Sequence, residues 1–162
     1  MSDPVAKPLS KGQRILGLDY GTVRLGVAIS DPTGTVVRPL PPMPAKDRGA
    51  LVKQVAELCQ AQGVGEIVLG LPRHMNGSEG DSAKQTRVFG EALLKRTGLP
   101  LHYLDERLTT AAVQRTMLEA DMSRADRKGK VDGLAAALIL ETWLARKAGG
   151  GLPVIPPIPP AP

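Results

Sequence analysis

The fold is decided by residues 14–31, which read RILGLDYGTVRLGVAISD. Apolar side chains dominate 14–19 and 24–30, and the connection between them, Tyr20 to Val23, contains a glycine. Two apolar runs joined by a short glycine-containing connection predict a β-hairpin. The sequence therefore predicts that the folded part of the chain opens with two antiparallel strands.

Strands and helices alternate after this hairpin. A weaker third strand is predicted at 35–38, behind a turn at 31–34 that contains proline and glycine. The remaining predicted elements are helix 46–62, strand 66–71, helix 81–97, strand 101–105, and helices 109–119 and 127–147. Antiparallel strands followed by two βα crossovers predict an α/β fold, in which helices flank a mixed five-stranded sheet.

The two ends of the chain differ from its centre in composition. Residues 1–12 are polar with two prolines, and residues 149–162 are rich in glycine and proline. Neither segment has a helical or strand period, so we expect a flexible N-terminal arm at 1–12 and a flexible tail at 149–162. One folded domain is predicted between them, over 13–148.

The composition narrows the class of protein. A net charge of +5 suits a polyanionic partner such as nucleic acid, although an ordinary basic protein has the same balance. Aromatic residues make up only 2% of the chain, which argues against a single-strand binder that stacks bases on aromatic rings. The single cysteine, Cys59, falls on the apolar side of a predicted helix and is interpreted as a small buried residue. No apolar segment resembles a signal peptide or a membrane span, so we expect a cytoplasmic protein without a membrane partner.

One acidic residue ends the first strand. Strand alternation places Asp19 on the same face as Ile15 and Gly17. A carboxylate at the end of an apolar strand is costly unless it is paired or binds a cation. Asp19 is therefore a candidate metal ligand, and the alternative is an aspartate that caps the hairpin.

Two further acids come from distant segments. Asp132 precedes Ala135, Ala136 and Ile139 by three, four and seven residues, which places it on the apolar side of its helix; a salt bridge is the alternative. Glu106 directly follows the strand at 101–105, and ligands gather beyond the carboxyl ends of parallel strands. The adjacent Asp105 should point the other way, which favours Glu106.

Three acids from separate segments indicate a metal centre for phosphodiester hydrolysis. Hard oxygen ligands select Mg²⁺ or Mn²⁺. Two such ions activate water and stabilise the leaving oxygen of a phosphodiester. The two histidines, His74 and His102, do not have the spacing of zinc ligands. The sequence therefore predicts a divalent-metal-dependent nuclease with two ions held by Asp19, Glu106 and Asp132.

Four segments, in order along the chain, resemble the motifs of the YqgF family of Holliday-junction-resolvase-like proteins, which are described as pre-16S ribosomal RNA nucleases. They are residues 17–31; residues 68–72 with 76–78 and 85–87; residues 105–110; and residues 128–132 with 135–136 and 139–140. The resemblance covers about residues 14–146. It implies a ribonuclease H-like fold and the same acidic set, and it implies phosphate contacts for Arg24, Arg73, Arg87, Arg107, Lys128 and Lys130.

The resemblance leaves the substrate open. Processing of the 5′ end of pre-16S ribosomal RNA and resolution of branched DNA use the same phosphodiester chemistry, so RNA and DNA both remain candidate partners. Monomer and homodimer are equally open. A phosphate-binding ATPase of the actin and Hsp70 fold shares the Asp19 to Thr22 pattern but needs a second domain. A non-catalytic RNA-binding module is the other alternative.

Overall fold

The computed structural model describes residues 14–109 and 124–149, and within 124–132 it describes the backbone only. The predicted N-terminal arm, the predicted tail beyond Gly149 and the predicted helix at 109–119 beyond Thr109 lie outside the described residues.

The described elements form a mixed sheet with helices on both faces. Their bounds are β1 Arg14–Tyr20, β2 Arg24–Ser30, β3 Val37–Pro44, α1 Arg48–Gln62, β4 Val64–Leu71, α2 Asp81–Thr97, β5 Leu101–Asp105, a 3₁₀ turn Glu106–Leu108 and α3 Arg124–Ala148. The strand order is β3-β2-β1-β4-β5. The β1–β2 and β2–β3 pairs are antiparallel, and the β1–β4 and β4–β5 pairs are parallel. The predicted hairpin and mixed five-stranded sheet are confirmed.

The third strand differs most from its prediction. The sequence predicted 35–38, but β3 runs over Val37–Pro44 and contains four of the chain's prolines. A proline cannot donate a ladder hydrogen bond, and it is tolerated where the N–H would face away from a partner strand. Because β3 is an edge strand, its prolines fit, and the prediction was wrong because a proline cluster indicates the end of a strand.

The sheet separates two apolar layers. On one face, Leu16 and Leu18 of β1 pack in a cluster with α1 and α2, in which Leu51 and Phe89 are fully buried. On the other face, Ile15 of β1 packs in a cluster with residues of α3. This alternation follows from the two-residue period of a strand. The predicted burial of Cys59, in the first cluster, is confirmed, and burial raises the pKa of its thiol to about 12.

Two glycines let α3 lie close to the sheet. A Cβ on Gly17 of β1 would lie 2.7 Å from Leu140 Cβ, and a Cβ on Gly70 of β4 would lie 2.5 Å from Ile139 Cδ1. A larger residue at Gly17 would push the helix outward, because the Cβ of Leu140 cannot move without its backbone, whereas at Gly70 the Ile139 side chain would have to move first. Among the described residues, no helix combines the length and apolar character that crossing a membrane requires.

Candidate active site

The first acid of the predicted set, Asp19, lies near the carboxyl end of β1. Its residue is only 7% exposed, and it pairs in register with Gly26 of β2. Strand alternation places it on the face of Gly17, which is the face that α3 covers. A buried carboxylate thus lies on the sheet face that the helix carrying Asp132 covers.

The second acid, Glu106, begins the 3₁₀ turn that follows β5. Its Cγ lies 3.3 Å from the position that a Cβ on Gly70 would take, on the same face as α3. Gly70 follows Leu69, whose register partner is Leu18, so Gly70 lies level with Asp19 on the neighbouring strand. The structure therefore brings Asp19 and Glu106 to one face of the sheet, with Gly70, on which Ile139 of α3 packs, on the strand between them.

The third acid, Asp132, lies in α3, and its side chain is outside the described residues. Within the part of the chain whose side chains are described, no group of three His, Cys, Asp or Glu residues is arranged to hold a metal ion. This search included Asp19 and Glu106 but not Asp132, whose side chain is not described. The three-acid centre therefore stays a prediction.

Asp105, the alternative to Glu106, is engaged by arginines. Its carboxylate lies 2.6 Å from Arg107 Nη2 and 3.2 Å from Arg73 Nη1, and its side chain is 6% exposed. Burial acts to raise the pKa of this carboxyl, but the hydrogen bonds and charge of Arg107 and the charge of Arg73 hold the pKa below its usual value. An ionised carboxylate that already accepts hydrogen bonds from two guanidinium groups has few free lone pairs to coordinate a metal ion. This favours Glu106 over Asp105 as the metal ligand.

The arginines that the family motifs implicate in phosphate contact fall into different environments. Arg73 and Arg107 lie at the carboxyl end of the sheet with side chains 23% and 34% exposed, and both retain donors beyond those that Asp105 accepts. Arg24 begins β2 and is half-buried. Lys128 and Lys130 lie in α3 with side chains outside the described residues. Their predicted phosphate contacts stay predictions.

Arg87 of α2 has a different setting from the one its motif suggests. It is 5% exposed, it donates from Nε and Nη2 to the two carboxylate oxygens of Glu79 at 2.8 Å each, and its guanidinium lies 5.0 Å from the ring centroid of Tyr103. Sequence analysis missed the Glu79 pairing. Eight residues separate the two partners, and one lies in a loop, so no helical spacing indicates the contact.

The chain is similar to known proteins along most of its length. A family model described as "RuvX: Holliday junction resolvase" matches residues 13–146. A protein of Moorella thermoacetica is 45% identical over 139 residues, covering 86% of this chain and 99% of the relative. One of Pelotomaculum thermopropionicum is 43% identical over 147 residues, covering 86% and 96%. Both carry the name "Putative pre-16S rRNA nuclease".

Solved structures show the same fold. The chain resembles "T. thermophilus RuvC in complex with Holliday junction substrate" with a TM-score of 0.57 at 16% identity, covering 88% of this chain and 99% of that one. For "Thermus thermophilus RuvC structure" the TM-score is 0.56 at 15% identity, with 86% and 98% covered. RuvC has a ribonuclease H-like fold, so the predicted fold class is confirmed.

Proposed function

The chain belongs to the RuvX family, and on that premise we propose that it is a divalent-metal-dependent nuclease that hydrolyses phosphodiester bonds in pre-16S ribosomal RNA. The observation that carries the proposal is the position of Asp19 and Glu106 on one face of the sheet, on either side of Gly70. The substrate is taken from the relatives, which are named for pre-16S rRNA and match nearly their full length.

The residues present suit Mg²⁺ or Mn²⁺. Asp19 and Glu106 offer hard carboxylate oxygens, and Gly70 on the strand between them adds no side chain of its own. We place Asp132 as the third ligand because it precedes Ile139, the residue that packs on Gly70, by two helical turns. Two ions held there would supply water activation and stabilisation of the leaving oxygen.

The chain's own residues hold and orient this centre. Asp19 is fixed by the central strand of the sheet, Glu106 by a turn at the end of β5, and Asp132 by the helix that packs on β1 and β4. Rigid elements position a catalytic group more closely than loops do, and a displacement of about 1 Å can cost about a hundredfold in rate. The close approach of α3 at Gly17 also excludes bulk water from the sheet face beneath it.

The basic residues of the family motifs would bind the substrate backbone. We propose phosphate contacts for Arg24, Arg73, Arg107, Lys128 and Lys130, which supply affinity without reading sequence. Arg87 belongs to the same motif set, but its guanidinium is committed to Glu79, so we propose that Arg87 serves the substrate by holding the loop that contains Glu79. The protein would work in the cytoplasm, where precursor ribosomal RNA is processed.

Resolution of branched DNA is the second candidate function, with the same centre. The family description names a Holliday junction resolvase, and the RuvC fold is shared. A junction presents two symmetric strands, so this function calls for a dimer, whereas trimming an RNA end does not. The oligomeric state on each substrate therefore separates the two functions.

The test is a panel of substrates with Mg²⁺ and with Mn²⁺. Purified protein is incubated with precursor 16S RNA carrying its 5′ extension, mature 16S RNA, duplex DNA and a four-way junction, alongside Asp19→Asn as the inactive control. We expect metal-dependent cleavage of the 5′ extension by the parent protein only. Cleavage of the junction alone would show that the substrate is branched DNA rather than RNA. Equal cleavage by the parent protein and Asp19→Asn would reject the assigned centre.

A further inference from the structure

The carboxylate of Asp105 contacts both segments that flank the proposed centre. Its Oδ1 accepts a hydrogen bond from the backbone N–H of Arg107 at 2.9 Å, which caps the turn that carries Glu106. Its two oxygens also accept from Nε and Nη2 of Arg107, and Oδ2 accepts from Nη1 of Arg73. Arg73 lies on the other segment, residues 72–80, which connect β4 to α2 and are termed the 72–80 loop.

Arg107 extends this connection to the tip of the 72–80 loop. Its Nη1 donates to the carbonyl of Met75 at 3.3 Å, and its guanidinium packs on Gly77, where a Cβ would lie 3.4 Å from Nη1. The tip is itself a closed turn. The N–H of His74 donates to the carbonyl oxygen of Ser78 at 2.9 Å, and the N–H of Gly77 donates to the carbonyl oxygen of His74 at 2.8 Å. A continuous set of hydrogen bonds therefore runs from Asp105 through Arg107 to the loop tip.

The same arginines depend on Asp105 for their placement. The Asp105 side chain is 6% exposed, and the Arg73 side chain is 23% exposed. Arg73 Nε is buried and has no hydrogen-bond partner among the described residues, while Arg73 Nη1 pairs with Asp105. Removal of the carboxylate would leave two neighbouring guanidinium groups, 23% and 34% exposed, without their shared partner, and charges of one sign repel.

We propose that Asp105 is a positioning residue, which fixes the turn that carries Glu106 and, through Arg107 and Arg73, ties the 72–80 loop to that turn. The proposal rests on the proposed function only for its kinetic consequence. The physical linkage between the two segments is independent of any activity. A loop tip held by Arg107 is placed before substrate arrives rather than ordered by it.

Hydrogen exchange tests the linkage without substrate or metal. Asp105→Asn keeps the size of the side chain but removes the charge that holds two arginines. We expect amide exchange at 74–78 and at 106–109 to accelerate together, by about tenfold or more. Arg107→Lys serves as a second variant with its charge retained, and it should accelerate exchange in the same two segments because one ammonium cannot bridge Asp105 and Met75.

Asp31→Asn is the matched control. Asp31 is also a carboxylate that closes a turn, accepting from the N–H groups of Thr35 at 2.8 Å and Val36 at 2.9 Å, but it lies between β2 and β3 at the opposite end of the sheet. Its variant should accelerate exchange only at 33–36 and should cleave at the parent rate. If Asp105→Asn and Arg107→Lys loosen 106–109 while 74–78 stays protected, Asp105 does not tie the loop and the proposal is overturned.

Kinetics test the consequence for Glu106. Loss of a group that orients a ligand costs about 10- to 100-fold in activity. For Asp105→Asn we expect kcat to fall by this factor, with KM for precursor RNA unchanged or lower, since the released guanidinium groups still attract phosphate. A raised KM at unchanged kcat would overturn the positioning role. If the parent protein cleaved nothing, the proposed function would fail, and the exchange experiment alone would still decide the linkage.

Discussion

Two carboxylates lie on neighbouring strands at opposite ends of the sheet, and each contacts two basic side chains. Asp105 ends β5 beside the proposed centre and pairs with Arg107 and Arg73. Glu66 lies near the start of β4 and pairs with His102 at 2.9 Å and Lys147 at 3.4 Å. The Asp105 side chain is 6% exposed and the Glu66 side chain is 29% exposed.

The partners differ in chemistry as well as in burial. Arginine presents a planar fork that binds a carboxylate with several fixed donors, whereas lysine is a flexible point charge. Exposed ion pairs contribute little to stability, while a buried carboxylate must keep its partners. The molecule thus has a fixed, nearly buried carboxylate at the end of the sheet that carries Glu106 and a more exposed ion pair at the other end.

The largest expected difference is in activity. Glu106→Gln removes a proposed metal ligand while keeping its size, so cleavage of precursor RNA should fall by several orders of magnitude. Glu66→Gln removes the same charge from the other end of the sheet and should cleave at the parent rate. Both variants are assayed with Mn²⁺ under single-turnover conditions. Equal rates for the two variants would remove Glu106 from the centre.

Stability should separate the two carboxylates next. Asp105→Ala removes the cap of the turn and the acceptor that two partly exposed guanidinium groups share, which should lower the free energy of unfolding by about 1–3 kcal/mol. Glu66→Ala breaks pairs that water screens, at a cost below about 1 kcal/mol. Urea denaturation followed by the fluorescence of Trp143 measures both. Similar losses would mean that burial does not distinguish the two pairs.

The smallest expected difference is in pH dependence. The pKa of Asp105 lies below its usual value of 3.8 in the folded protein, because the hydrogen bonds and charges of Arg107 and Arg73 outweigh the effect of burial, which acts to raise it. Its contribution to stability is therefore complete above that value and is lost as the pH falls through the folded pKa. The stability gap between the parent and Asp105→Ala should shrink on acidification from about pH 5 to about pH 2. A constant gap would show that charge is not what Asp105 contributes.

Sequence patterns predicted the part of the fold that depends on local periodicity. The bounds of β2, α2 and β5 match their predictions, since each element has clear turn signals at both ends. Helix α1 begins two residues later than predicted because Asp47 caps it, accepting from the N–H of Ala50. The edge strand β3 was misplaced because its position depends on which N–H groups face a neighbour, and only the assembled sheet determines that.

Sequence patterns indicated the sheet face on which Asp19 and Glu106 lie, while the three-acid centre itself stays a prediction. Alternation and strand ends were enough to bring Asp19 and Glu106 to one face. The environment of Arg87 could not be predicted from the sequence. Its motif and charge indicate a phosphate contact, whereas its burial and its pairing with Glu79 come from tertiary structure. The role of Asp105 depends in the same way on Arg73, 32 residues away in sequence.

Metal-dependent stabilisation tests the central claim most directly. Thermal melting of the parent protein and of Asp19→Asn is followed while Mg²⁺ or Mn²⁺ is titrated, with Glu66→Gln as the charge-matched control. Clustered carboxylates repel without a cation, and an ion that binds the folded state raises Tm with its concentration. We expect that rise for the parent and for Glu66→Gln, and its loss in Asp19→Asn, which should match or exceed the parent's Tm without metal. An equal rise in all three proteins, with normal cleavage by Asp19→Asn, would contradict the assignment of Asp19 to a metal centre.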